Sequence, residues 1–470
     1  MDQTVIQGTF WYPESGVQSA GELTIGTGGQ KSTLSVLQNI MPELHVKITN
    51  PHQYETHIAY GGTAEEIVED FAPRTFLGQT EEGQRITLVD AQGGSEPFSA
   101  GQQFDCKIVL IGDNHVEAHQ RFAQCRYVIA GDFLQHLHEQ QALVDILGGT
   151  AVDFEYADNS IVITTRCEDG AILLEFEQYI LGPLKNLMKI VAGRRLRLRS
   201  THVRVDDNSA WLEVHITRTE RAEPKPSARP GMIHDRSITE ARVAKWIEIG
   251  YKADSLVDAL AGADESGPIE TQVITLCAVA EGLHRKLLAE RKSFPNLIKP
   301  QLRTVRKAAR EAALARFHEL DEFDDEKIND RMNAGLNMLN DISYRARINE
   351  LSTYAKEFDE DLIITSAFAD WAQSVHFVRN KLVHQLPYES DDDETELTAD
   401  QLRKEKENLF NLNIAVAYSL SWVLRLALLK LAGFQNTDIV EDDGLPGFRP
   451  YEFSCANVKF AIKDHPRRRA

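Results

Sequence analysis

His376, Asn380 and His384 recur at four-residue steps, and Arg379 stands beside Asn380. On a helix that spacing stacks the first three along one face and puts Arg379 at its edge. These side-chain types suffice for cleaving RNA without a metal. The reaction needs a base for the 2'-hydroxyl proton, a donor for the charge on the phosphorane and an acid for the departing 5'-oxygen. Histidine titrates near neutrality and can serve as base or acid. Arginine keeps its charge and offers a planar fork that matches phosphate oxygens. Asparagine can orient either partner or bond the phosphate itself.

The element that must position them is a helix over Ile364–His384, with Phe368, Trp371, Val375, Val378 and Leu382 as its buried stripe. Pro387 cannot continue it, so His384 falls near its C-terminal end, where a side chain can reach a cleft. The bare spacing Arg-x4-His also occurs at Arg197/His202, in a predicted strand, and at Arg229/His234, in a linker. Only the match at Arg379 and His384 has Asn next to the Arg, lies on an amphipathic helix and ends it. A basic helix C-terminus favoured by the macrodipole would account for the charges but not for Asn380.

At 470 residues the chain exceeds what one core usually organises. Residues 1–220 consist mostly of short stretches rich in Val, Ile, Thr and aromatics between turn residues, which predicts a β-rich, sandwich- or barrel-like half that divides into as many as two subdomains. Helices are expected within it over Phe133–Leu147 and Leu181–Val191, and a strand over Ala171–Phe176. The proline-rich stretch at 221–231 reads as a linker. Helical periodicity over 232–435 predicts an all-α bundle, and 436–470 a C-terminal extension. The fold class expected is therefore α+β multidomain.

The segment FVRNKLVHQ (Phe377–Gln385) resembles the Arg-Asn-x3-His signature of HEPN ribonucleases. The resemblance implies a helical domain that cleaves RNA without a metal or cofactor, in a site assembled across a homodimer. It assigns catalysis to Arg379, Asn380 and His384. HEPN bundles also place an acid from an early helix near the Arg-His pair, and Glu281 fits that place on a helix over Glu270–Leu288. A β-rich half that contains GTFWYPE (Gly8–Glu14) and TFLGQTEEGQRITLVDA (Thr75–Ala91), followed by such a domain, is similar to the ApeA family of bacterial anti-phage proteins. That similarity implies abortive infection by RNA degradation, with the β half sensing a phage-derived trigger or restraining the nuclease.

Further candidates have plainer alternatives. Glu281 is also placed for an ordinary i,i+4 pair with Arg285, and His376 for a surface or interface role beside its supporting one. Arg285, Lys286, Arg303, Arg306 and Lys307 could guide RNA phosphates or simply form a solvated face. Phe10, Trp11 and Tyr12 read as core rather than as a recognition platform. The net charge of -20 excludes a protein that coats nucleic acid indiscriminately, though not a local RNA site. Five cysteines scattered without paired spacing yield neither a disulfide framework nor a zinc pattern, and GTGG at Gly26–Gly29 is not a nucleotide-phosphate loop. No signal segment is read at the N-terminus, so the expected location is the cytoplasm. The apolar stretch Ile414–Phe434 carries Arg425 and Lys430 and is expected to be a bundle core helix, not a membrane span. The rival function is a non-catalytic module that binds nucleotides or protein, with the β half as a ligand-binding domain.

Overall fold

The computed structural model describes residues 4–26, 30–41, 46–52, 55–60, 63, 72–95, 101–131, 134–137, 140–191, 196–217, 232–263, 267–288, 292–320, 324–358, 365, 367–384, 398–439, 457–458 and 461. The chain forms two compact units, Met1–Ala228 with Asp235–Glu248, and Arg229–His234 with Ile249–Ala470.

The first unit is built on one antiparallel sheet that closes part of itself into a barrel. Strands β1 (Thr4–Trp11), β2 (Gln18–Ile25), β3 (Ser32–Val36), β6 (Arg74–Thr80), β7 (Arg85–Ser95) and β8 (Gln102–Gly112) form the closed part, in the order β8-β3-β2-β1-β6-β7, with β7 returning to β8. β4 (Val46–His52) and β5 (Glu55–Tyr60) make a separate hairpin. Alternating residues point inward, as the period of a half-buried strand requires. Phe10, Leu23, Leu34, Phe76, Ile86, Leu88 and Phe104 thus fill the barrel. Phe10 and Tyr12 belong to this core as expected, but Trp11, which alternates with them at the end of β1, is only half-buried and stands outside it. A Cβ on Gly78 would come within 2.5 Å of the Phe10 ring, so the absent side chain is what admits that ring.

β8 links the barrel to the rest of the sheet. Its residues 102–106 pair with β3, whereas Ile108–Ile111 pair along the same edge with β14 (Leu212–Ile216). From there the order runs through β13 (Arg197–Arg204), β9 (Phe122–Ala130), β12 (Ser160–Ala171) and β11 (Thr150–Ala157) to β10 (Gln140–Val144). Helix α1 (Leu173–Phe176) continues through a π-helical turn (Glu177–Leu181) into α2 (Gly182–Val191), whose Leu184, Leu187, Met188, Ile190 and Val191 are buried. The indole of Trp246, fully buried, donates to the Pro183 carbonyl at 3.0 Å.

Two expectations are corrected here. Among its described residues the segment 133–147 holds a 3-10 turn, Gln135–Leu137, and then β10, rather than the expected helix. Ala142, Val144 and Ile146 are buried while Leu143 is exposed, so the apolar run obeys a two-residue period once β11 is beside it. The strand expected over 171–176 stops at Ala171, the last residue of β12, and the chain turns into α1, because the Glu175 carboxylate reaches back to accept from the Ile172 N–H at 2.9 Å and caps a helix.

The second unit is helical. It contains the end of α3 (Glu240–Ala253), then α4 (Leu256–Gly262), α5 (Ile269–Leu287), α6 (Lys299–Leu320), α7 (Asp325–Asn337), α8 (Tyr344–Phe358), α9 (Trp371–His384) and α10 (Ala399–Leu431). α5, α8, α9 and α10 pack on one another in every pairing. Their apolar stripes include Val273, Leu276, Ala280 and Leu283 on α5 and Trp371, Val375 and Val378 on α9. α10 starts with a capping box between Thr398 and Gln401 and is followed by Gly433 at φ 85°, a left-handed C-terminal stop. It is long and apolar enough to cross a membrane by composition, yet 89% of its most apolar window is buried, the signature of a bundle core helix.

Candidate active site

Three elements meet at the residues singled out above. α9 begins at Trp371 rather than at Ile364, because the Asp370 carboxylate accepts from the Gln373 N–H at 2.9 Å and caps it there. Phe368 therefore lies ahead of the helix, packed near Ala415, Val458 and Ala461. Burial of Trp371, Val375 and Val378 turns the opposite edge, His376, Arg379 and Asn380, to a half-open position. The Trp371 indole is pinned by a 2.9 Å bond to Ser419 Oγ on α10, which sets the rotation of the helix.

The site is a directed chain of hydrogen bonds. Arg379 Nη1 donates to Asn380 Oδ1 at 3.3 Å, and Asn380 Nδ2 lies 3.1 Å from His376 Nε2. A guanidinium can only donate, so the amide oxygen must face Arg379 and the amide nitrogen must face the imidazole. His376 Nε2 is then an acceptor, and its ring is neutral with the proton on Nδ1. Burial, followed by the charges of Arg379 and Arg345, lowers the His376 pKa and favours that same neutral form.

Arg379 is held from other elements as well. Glu281 on α5 places Oε2 3.5 Å from Arg379 Nη2 while its Oε1 accepts from Arg285 Nη2 at 2.9 Å. The i,i+4 pair and the contact to Arg379 thus coexist on one carboxylate. Tyr344, the first residue of α8, lies under the guanidinium, with Arg379 Cζ 4.6 Å from the ring centroid. Its ring is also 6.2 Å from that of His376. The Tyr344 hydroxyl donates to the Cys277 carbonyl at 3.3 Å, and burial drives its pKa far upward, so it remains a neutral wall.

Behind this layer lies a buried set that sequence reading missed. His284 is 1% exposed, with Nε2 2.8 Å from Glu350 Oε2 and Nδ1 3.1 Å from Arg347 Nη1. Because Arg347 donates, Nδ1 accepts and Nε2 carries the proton toward Glu350. Burial lowers the His284 pKa, against the opposing pull of Glu350. Glu350, Arg347 and Tyr344 follow no local motif. They enter from α8, and only tertiary packing brings them to α5 and α9.

The other candidates are dispersed. His384 is the last residue of α9, and its side chain lies outside the described residues. Lys286 turns to Ala253 O at 3.4 Å and Asp254 at 3.7 Å. Arg306 donates to the Asn337 carbonyl at 2.8 Å, whereas Arg303 and Lys307 are exposed. Among the described residues, no three His, Cys, Asp or Glu side chains group as a metal ligand set.

No curated protein and no solved structure matches the chain. A family model does match part of it, over residues 5–131, the stretch that runs from β1 to the end of β9 and includes the whole closed barrel. That family is ApeA N-terminal domain 1, and this barrel-bearing part of the chain is similar to it.

Proposed function

We propose that the chain is a metal-independent endoribonuclease of bacterial anti-phage defence, acting as a homodimer in the cytoplasm, whose helical unit is a HEPN domain and whose β-rich unit senses a trigger or restrains cleavage. The observation that carries the reading is the linked set on α9, in which Arg379 is bonded to Asn380, stacked on Tyr344 and faced by Glu281. The similarity of residues 5–131 to ApeA N-terminal domain 1 supports the defence role.

In this mechanism Arg379 neutralises charge on the phosphorane, and Asn380 keeps the guanidinium aimed. His384, at the helix end, acts as base or acid, and a second copy of the chain supplies the complementary group. Preorganised donors of this kind contribute through charge that develops only in the transition state.

The test is cleavage of RNA by purified protein in excess EDTA, with sequencing of the ends. The expected products carry 2',3'-cyclic phosphate and 5'-hydroxyl termini. Arg379→Ala and His384→Ala are each expected to lower the rate by about 100-fold or more while the circular dichroism spectrum is unchanged. Arg379→Lys should rescue little, because an ammonium lacks the planar fork. Undiminished cutting by both alanine variants would refute the assignment.

A further inference from the structure

α6 and α7 form a helical hairpin inserted between α5 and α8. α6 spans Lys299–Leu320 and buries none of its residues, and Ile328 is the buried residue of α7. A helix of that length without a buried face is not there for the core. Its root, in contrast, is firmly built. Lys292 and Asp341 form an antiparallel bridge, the Ser293 N–H donates to the Asn340 carbonyl at 3.0 Å, and the Phe294 N–H donates to Asn340 Oδ1 at 2.8 Å.

That root adjoins the candidate site through the chain itself. Arg285, which shares Glu281 with Arg379, is in the last turn of α5, from which the chain leaves toward the hairpin. The chain returns at Asp341 and enters α8 at Tyr344, the residue under Arg379, so the backbone between them spans at most about 10 Å.

Charge is sorted along the hairpin. Residues 293–310 and 331–340, the halves next to the root, contain six Lys and Arg and no Asp or Glu, in a chain of net charge -20. The outer part, 311–330, is predominantly acidic. Arg306 and Arg310 bond to α7 through the Asn337 carbonyl and Asn333 Oδ1. Lys299, Arg303 and Lys307 remain exposed at four-residue steps, a single stripe along α6. Lys307 lies 3.7 Å from Glu311, with its side chain 70% exposed. Phe294, 47% exposed, precedes α6 by five residues.

We propose that the root half of the α6–α7 hairpin binds single-stranded RNA beside the site, with Lys299, Arg303 and Lys307 on successive phosphates and Phe294 stacked on a base. The proposal rests on the ribonuclease reading for its purpose, though not for its measurement. Cations in a row with an exposed aromatic are the pair of features that single-strand binding uses. Carboxylates such as Glu311, beside Lys307, and Asp341, at the root, only border that half, so the repulsion that the rest of this acidic chain would offer is reduced there.

The test uses the full chain and a fluorescein-labelled, fully 2'-O-methylated RNA oligonucleotide, which cannot be cleaved because it lacks the attacking hydroxyl. Anisotropy titrations over a salt series give both the affinity and its salt slope. Lys299→Gln/Arg303→Gln/Lys307→Gln is expected to weaken binding about tenfold or more and to reduce the logarithmic salt slope by about 2. Phe294→Ala should weaken binding with the slope unchanged, since stacking releases no counterions. Wild-type affinity and slope in the triple variant would overturn the proposal. A change of oligomeric state in light scattering, with RNA affinity intact, would also overturn it and assign the stripe to a second copy of the chain. Stripe-dependent binding by a protein that cuts no RNA would uphold the arm while the nuclease reading fell.

Discussion

Arg379 is held from three directions, by Glu281 at 3.5 Å, by Asn380 at 3.3 Å and by the Tyr344 ring at 4.6 Å. The three constraints differ in kind, and Tyr344 separates them. Tyr344→Phe removes only the bond to the Cys277 carbonyl, so a stability loss of about 1 kcal/mol with activity nearly intact is expected. Tyr344→Leu removes the aromatic face beneath the guanidinium and should lower the cleavage rate about tenfold at similar stability. Equal rates for the two variants would show that the ring does not position Arg379. His284 yields a pH prediction. Its folded pKa lies below 6.5, so the fold favours the neutral ring, and the stability it contributes is complete above 6.5 and is lost as pH falls below that value. The melting temperature should therefore fall between about pH 8 and about pH 5, and His284→Gln, already less stable at pH 8, should fall less steeply. Parallel curves for the two proteins would remove His284 from that account. The grouping of Arg379 and Asn380 with the supporting His376 was legible in the sequence because the three lie within about one turn of a single helix, whereas the side chain of His384, the third member of the expected catalytic set, lies outside the described residues. Tyr344, Arg347 and Glu350 were not, because no periodicity relates α8 to α9.

At the scale of elements, α9 shows how a helix is aimed. Asp370 sets where it starts, Trp371 is locked to Ser419, and the buried stripe leaves only one edge for polar groups. The expected stripe was right from Trp371 to Val378, but the start was placed seven residues early, because an apolar residue such as Phe368 fits a helical period whether or not it is in the helix. β10 illustrates the converse error. Its residues suit both periods, and hydrogen bonding to β11 decides between them. In the barrel, Gly78 is an element-level constraint, since β6 can pass Phe10 only without a Cβ. Gly78→Ala is expected to destabilise the chain by about 1–3 kcal/mol in denaturant unfolding, through displacement of that ring. A cost near zero would mean that the barrel core is looser than its packing implies.

At the scale of the molecule, the two compact units follow the change of composition near the proline-rich stretch, but residues 235–248 count with the β-rich unit. Trp246 explains why, as its indole is buried against Pro183 of the first unit. If the nuclease is a homodimer with a shared site, specific activity should fall on dilution as dimers dissociate, in step with the dimer fraction seen by light scattering. Constant specific activity in a monomeric sample would refute the shared site. By itself the sequence determined what depends on local order: the β-rich and helical halves, the apolar faces of α5 and α9, and the placing of Arg379, Asn380 and His376 together, since period and capping are properties of neighbours along the chain. Closure of the barrel through β7 and β8, the aromatic floor that α8 lays under Arg379 and the buried His284 pair were decided only in the tertiary structure. Each joins residues far apart in the chain, and which distant surfaces pack together follows from the whole set of competing contacts, which no local pattern encodes.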